Sequence, residues 1–369
     1  MTITVTPSDY GMLGSLIANA ASVKQKLDRL TNQASSGLIS DTFGGLGAGA
    51  AVSLNLRPEL GNVKTWQTNI DVATGQMGVT QAAMTQIQSI AANFFAQTNN
   101  LNGVNASAVD DIAASARDAL GQVADLLDTT DGGIYVFGGQ DTGNPPVPNA
   151  NTILTSGFYT QINAAVGNLN GVGAAATAAA TLAIATSNVV SPPNPPPGDS
   201  PFSEYMSQAA AVLQPQIPTV QVGQNHSVSI GLLASANASI ISTGTSTTGS
   251  YMRDVLRALA TIGSLSSTQV TDPGFYDLVQ DTRTSLNGAI TAMANDVGVL
   301  GNTQSSLATT RTQLGDTATA LTGQISSAED VDMAATLSQL SLVQTQLQGS
   351  YQLIAGMSSL SLVKYMPAS

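Results

Sequence analysis

The sequence predicts a mainly α-helical protein, with helical arms at both ends of the chain and a small α+β or β-rich domain inserted between them. Three observations carry this expectation. Apolar residues near both termini recur at alternating steps of three and four, the spacing of a coiled-coil seam. Only 9% of the residues are charged, against about 25% in a typical soluble domain, so the polar faces consist of Gln, Asn, Ser and Thr. The middle of the chain then changes character, to glycine-bracketed β-type runs and a proline-rich stretch.

The first seam runs through Leu13, Leu16, Ala20, Val23, Leu27, Leu30 and Ala34, and "SSG" at Ser35–Gly37 closes it with a helix-stop glycine. A second seam is Ile70, Ala73, Met77, Thr80, Met84, Ile87, Ala91 and Phe94. A third is Ile112, Ala116, Ala119, Val123 and Leu126, with Asp110 and Asp111 placed to favour the N-terminus of that helix. From Gly121 to Ser250 the chain carries acidic residues and no Lys or Arg. Within this stretch "GGIYVFGG" (Gly132–Gly139) reads as a short β-type run, and "SPPNPPPGDSP" (Ser191–Pro201) as an extended, exposed loop. The Ala-rich "GVGAAATAAATLAIA" leaves helix and irregular structure both open, and "TVQVGQNHSVSI" reads as a hairpin around its GQN turn.

The longest seam lies in the C-terminal half, at Leu286, Ile290, Met293, Val297, Leu300, Gln304, Leu307, Arg311, Leu314, Ala318, Leu321 and Ile325. It predicts a helix of roughly 60 Å, with Gln304 and Arg311 as polar intruders of the kind that fix register. The last seam is Met333, Leu337, Leu340, Gln344, Leu347, Tyr351 and Ile354. It leads into the apolar, charge-poor ending "LSLVKYM". These elements divide the chain into residues 1–45 with 326–369 as a terminal coiled-coil assembly domain, 46–140 with 250–325 as a helical rod, and 141–249 as an inserted outer domain.

Composition removes several functional classes. The net charge is −12 and the 11 basic residues are scattered, which argues against nucleic acid, whose phosphates need clustered Lys and Arg. With no cysteine and one histidine, His226, zinc sites and Ser-His or Cys-His nucleophiles lack their usual parts. His226 sits at the turn of the proposed hairpin and reads as a surface residue. "GLGAGA" (Gly45–Ala50) and "GVGAAA" (Gly171–Ala176) match G-x-G-x-x-A, a fingerprint that requires a preceding strand; a heptad helix precedes the first, and the second lies in an Ala-rich run. The carboxylate pairs Asp110/Asp111 and Glu329/Asp330 belong to no catalytic set. Trp66, Phe94, Phe95 and Phe137 read as packing anchors. No catalytic, cofactor-binding or metal-binding residue is expected, and the chain reads as a non-enzyme. The first positive side chain is Lys24, so the N-terminal stretch lacks the basic region of a secretory signal. No apolar run approaches the ~18 residues of a membrane span.

Several segments resemble the bacterial flagellin superfamily. "LTNQASSGLISDT" (Leu30–Thr42) is similar to its "L-x-x-Q-I-S-S-G-x-x-I" signature, with Ala34 in place of Ile, and "TWQTNIDVATGQMGVTQAAMTQIQSI" (Thr65–Ile90) is similar to its next helix. "ISSAEDVDMAATLSQLSLVQTQLQGSYQLIAGMSSLSLVKYM" resembles the C-terminal arm. The ending "LSLVKYM" is closer to the hook–filament junction branch than to the filament flagellins, "GGIYVFGGQDT" resembles a segment of the junction proteins, and "VQVGQNHSVSI" resembles the hairpin that closes their insert. The sequence departs from the family at "FGGLGAGA", where "P-S-D-D-P" or "A-x-D-D-A" is usual. The resemblance implies that the two arms pair as an antiparallel coiled coil lining the channel of the flagellum. It also implies export through the flagellum's own secretion channel, with an export chaperone, to an extracellular location. The subunit interface is then expected at Leu13, Leu16, Ala20, Val23, Leu27, Leu30, Leu337, Leu340, Leu347, Tyr351, Ile354, Leu360 and Leu362. Partners would be further copies and other axial proteins, namely hook-associated proteins and flagellin, with no nucleic acid and no membrane insertion. The first functional expectation is a structural subunit joining hook to filament. The alternatives are the main filament subunit, an adhesin acting through the central domain, and a coiled-coil scaffold of unrelated origin.

Overall fold

The computed structural model describes residues 8–101, 106–190, 200–236 and 246–359. The side chains described run from residue 14 to residue 356. The proline-rich loop expected after Ser191 falls outside the described residues, apart from its last positions.

The mainly helical expectation holds. Helix α1 (Ser8–Ser36) ends where the glycine of "SSG" was expected to stop it: Gly37 takes φ +75° and its N–H donates to the Gln33 carbonyl at 2.9 Å. A short 3-10 turn (Phe43–Leu46) leads into α2 (Gly49–Gln97), which carries Pro58 within it. Both glycine fingerprints therefore follow helix and not strand. After α3 (Ala106–Leu127) come β1 (Thr130–Asp131) and β2 (Ile134–Tyr135), a minimal antiparallel pair. Gly132 and Gly133, both at positive φ, make its turn.

The middle of the chain contains more helix than strand. It forms α4 (Gly157–Gly167), α5 (Leu169–Val172), α6 (Ala174–Thr186) and α7 (Ala210–Leu213) before the hairpin of β3 (Thr219–Gly223) and β4 (His226–Ser229). The Ala-rich stretch is thus helical, broken once at Gly173 (φ +80°). The chain then enters α8 (Tyr251–Gly263), α9 (Phe275–Glu329) and α10 (Met333–Ser359). The break between α9 and α10 is closed by Asp332, whose carboxylate accepts the Ala335 N–H at 3.0 Å as an N-cap.

The chain forms two compact units. One holds residues 1–64 and 315–369, the other residues 65–314.

In the larger unit the main core joins α2 residues Met84, Ile87, Ala91 and Phe94 to α3, α4, α6, α8 and α9. Every residue of α8 is buried, including Arg253, Asp254 and Arg257. A helix polar on one side cannot be enclosed unless its charges are met; here each charge finds an opposite charge or polar partner, with Arg257 Nη1 left without a hydrogen-bond partner. Arg253 donates to the carbonyls of Ser235, Ala185 and Ser187 (each 3.0 Å) and to Asn188 Oδ1 (2.7 Å), and lies over the Phe202 ring. Asp254 accepts from the hydroxyls of Thr247 and Thr248, and Arg257 pairs with Asp281 at 3.1 Å. Segments expected to lie in an outer insert therefore share one core with the long helices. A second, smaller cluster places Val222 and Ile230 of the hairpin region against Ile70, Ala73 and Met77 of α2 and Leu300 and Leu307 of α9. Beside it Arg311, expected within a seam, is exposed and paired with Asp71. Phe94 and Phe137 are buried, Phe95 lies under the Arg283 guanidinium, and Trp66 is half-buried. Asp110 accepts the Ser267 N–H at 2.8 Å. Because α3 begins at Ala106 with no acidic residue in its first turn, Asp110 and Asp111 do not sit at the helix N-terminus as expected, and Asp110 serves a neighbouring turn instead. His226 is exposed.

Candidate assembly surface

The smaller unit is built on the pairing of α1 with α10. Its base is a two-stranded crossing of the connecting segments. Ile39 N–H donates to the Glu329 carbonyl at 2.6 Å, and Val331 N–H donates to the Gly37 carbonyl at 2.9 Å. The end of α1 is thereby held beside the start of α10, so the two helices run antiparallel. A side-chain clip closes the same place. Arg57 of α2 meets Glu329 through two parallel N–H···O bonds, Nε to Oε1 at 2.7 Å and Nη2 to Oε2 at 2.5 Å, and the Ser53 hydroxyl donates to the same carboxylate. The Arg57 and Ser53 bonds hold the Glu329 carboxyl down to about 2. Gly49 lies so close to the Ala328 carbonyl that a Cβ would stand 2.7 Å from its oxygen. The first residue of α2 must therefore be glycine for this approach.

On α1 the seam expected from the sequence faces α10. Ala20 and Leu30 are buried, and Leu16, Val23, Leu27 and Ala34 are half-buried. Leu13 lies in α1 but its side chain is outside the described set, and Leu360 and Leu362 are outside the described residues.

On α10 the inward seam differs from the expected one. The residues turned toward α1 are Thr336, Leu340, Val343, Leu347, Ser350 and Ile354, all buried or half-buried. Of the expected seam, Leu340, Leu347 and Ile354 belong to this inner face. Met333, Leu337, Gln344 and Tyr351 are exposed instead, Leu337 by 51% and Tyr351 by 52%. Both sets have steps of three and four, and they overlap at three positions. At 100° per residue, the exposed set forms a stripe flanking the inner seam. Leu342 (60% exposed) and Leu353 (63%) fall on a third side of the same helix. From Met333 to Ser359 α10 contains no charged residue.

A helix apolar on more than one side is one that is buried on more than one side. Within this unit α1 covers only one. Ile17 on α1 and Val52 and Leu54 on α2 are likewise exposed large apolar side chains. Among the described residues there is no group of His, Cys, Asp or Glu that could hold a metal ion, and Glu329 is tied to Arg57 and Ser53. No helix among the described residues is long and apolar enough to cross a membrane. The chemistry on offer is association through apolar helix faces.

Comparison with known protein families agrees with this geometry. Residues 8–142 match the model of the bacterial flagellin N-terminal helical region, and residues 284–366 match that of the bacterial flagellin C-terminal helical region. A search of curated proteins found no match.

Proposed function

Since the chain belongs to the bacterial flagellin superfamily and carries both of its terminal helical regions, a structural and non-enzymatic family of exported flagellar components, we propose that it is the subunit joining hook to filament. The observation that carries the assembly part of this reading is α10, which is uncharged and apolar on three sides and is covered by its own chain on one. Neighbouring copies would bury Leu337, Tyr351, Leu342 and Leu353, together with the expected interface residues at the ends of the arms. Each such side chain fully buried contributes about 1.5–3 kcal/mol, and the contribution is repeated at every contact of a helical array. Hook-associated proteins and flagellin would be its axial neighbours, and an export chaperone would cover the arms before assembly. Placement at the junction is supported by "GGIYVFGGQDT", which supplies β2 and the glycine turn that pairs it with β1, and by "VQVGQNHSVSI", which supplies nearly all of the β3–β4 hairpin. Both resemble segments of the junction branch, and the ending "LSLVKYM" is closer to that branch than to the filament flagellins. The terminal pairing, residues 1–45 with 326–369, is the assembly domain in this reading, and residues 141–249 are its outward-facing part.

The second reading, the main filament subunit, is favoured by the descriptions of the two matched regions, which name flagellin. Imaging of purified flagella with a label on this protein separates the two. A single band beside the hook supports the junction subunit; decoration along the whole length overturns it in favour of the filament.

A further inference from the structure

Apolar helix faces give adhesion without register, because a leucine stripe shifted by one heptad packs nearly as well. The few charges of the smaller unit are therefore worth locating. On α1, Lys24 has Asp28 one turn away as an i,i+4 neighbour. Lys26 and Arg29 stand three residues apart on α1, Lys26 flanking the buried seam and Arg29 on the side away from it; both are exposed and take part in no ion pair among the described residues. At the crossing of the two arms, Asp41, Asp330 and Asp332 are exposed and equally without a basic partner among the described residues. Asp330 is held in place by its backbone bridge to Leu38, and Asp332 by its capping of α10. The two groups do not meet within one chain. The crossing sets Gly37 beside Val331, so Lys26 and Arg29 lie alongside α10 about ten residues further on, or about 15 Å of helix away.

Resting on the reading that this chain assembles with copies of itself, the geometry points to a charge-registered contact between copies. Lys26 and Arg29 on α1 of one protomer dock on Asp41, Asp330 and Asp332 at the arm crossing of the next, displaced by about 15 Å along the arm. The contact is head-to-tail, so each copy offers one basic and one acidic surface and the array remains open. Individually such pairs are weak, but they decide register where the apolar faces do not, because like charges brought together are rejected.

The test reverses each side separately in the full-length chain. One variant is Lys26→Glu with Arg29→Glu. The other is Asp41→Lys with Asp330→Lys and Asp332→Asn, the asparagine keeping the capping oxygen of α10. Circular dichroism and melting confirm that both fold. Each alone is expected to raise the critical concentration for sedimentable polymer by about tenfold or more over the unaltered chain, while an equimolar mixture assembles, because each variant's altered surface then meets its opposite. Two results overturn the contact: either variant assembling alone as well as the unaltered chain, or a mixture of folded variants that stays dispersed. If the unaltered chain itself forms no polymer, the assembly reading fails and the contact with it. That outcome is distinguishable because it precedes any substitution.

Discussion

Asp128 and Glu329 show how the same carboxyl group is driven in opposite directions by its surroundings. Asp128, at the end of α3, is partly buried, and that burial pushes its carboxyl up to about 6 against the single Val147 N–H that it accepts and with Asp125 nearby. The folded state then binds this proton more tightly than the unfolded chain, so the contribution of this group to stability is full below about 4 and declines as pH rises through about 6. Asp128→Asn keeps the oxygen facing Val147 and removes the charge. Discounted for its partial exposure, the gain at pH 7 should be about 1 kcal/mol, or a melting temperature higher by about 2–4 °C, and the decline between pH 4 and 6 should flatten in thermal melts. Glu329 behaves in the opposite sense. Its carboxyl is held near 2 by Arg57 and Ser53, so its contribution is complete above the ordinary carboxylate range and is lost as pH falls through about 2. Hydrogen exchange at the Ile39 and Val331 amides, which close the arm crossing, should quicken in that acid window. In Glu329→Gln those amides should already exchange faster at pH 7, with a weaker response to acid.

At the scale of the element, α10 decides whether the molecule is read correctly, and it gives a prediction with two arms. Leu337→Gln with Tyr351→Gln alters side chains that are more than half exposed, so melting of the lone chain should shift by no more than about 0.5 kcal/mol while assembly is lost. Val343→Gln with Leu347→Gln alters buried residues and should loosen the α1 pairing before any neighbour is involved, visible as reduced helicity. If the first pair disturbs the lone chain as much as the second, the assignment of faces is wrong. Element by element, the helices were legible where one stripe dominated. On α1 the expected seam, Leu16 to Ala34, is the one buried. On α10 the expected seam is half right, because an uncharged helix with leucines on three sides fits several three-four frames equally, and only the partner selects among them. The charges of α8 were not legible at all. Arg253, Asp254 and Arg257 look like a solvated face, and the groups that receive them come from Ala185, Ser235, Thr247 and Asp281, far apart in sequence. The Arg57–Glu329 clip was invisible for the same reason.

Across the whole molecule, apolar burial is distributed unevenly between the two compact units, and function follows that unevenness. The larger unit contains the main core, from Met84 through α8 to Met293, and encloses Arg253 and Asp254 with their partners. The smaller unit buries chiefly Ala20, Leu30, Val63, Ile325, Val343 and Leu347, and leaves Ile17, Val52, Leu54, Leu337, Leu342, Tyr351 and Leu353 exposed. A unit that keeps so much apolar surface in water draws its stability from what covers it, whereas the larger unit draws it from itself. Removing residues 350–369 tests this division. The deletion takes Tyr351, Leu353 and Ile354 from α10 and touches no residue of the larger unit. The shortened chain should remain soluble, keep the near-ultraviolet signal of the buried Tyr251 and Phe137 environment, and melt in its main transition within a few degrees of the full chain. In cells it should be exported or retained but absent from purified flagella. A shortened chain that still incorporates would mean that the terminal stripe is not what neighbouring subunits hold. One whose main transition collapses would mean that the larger unit depends on the arms after all.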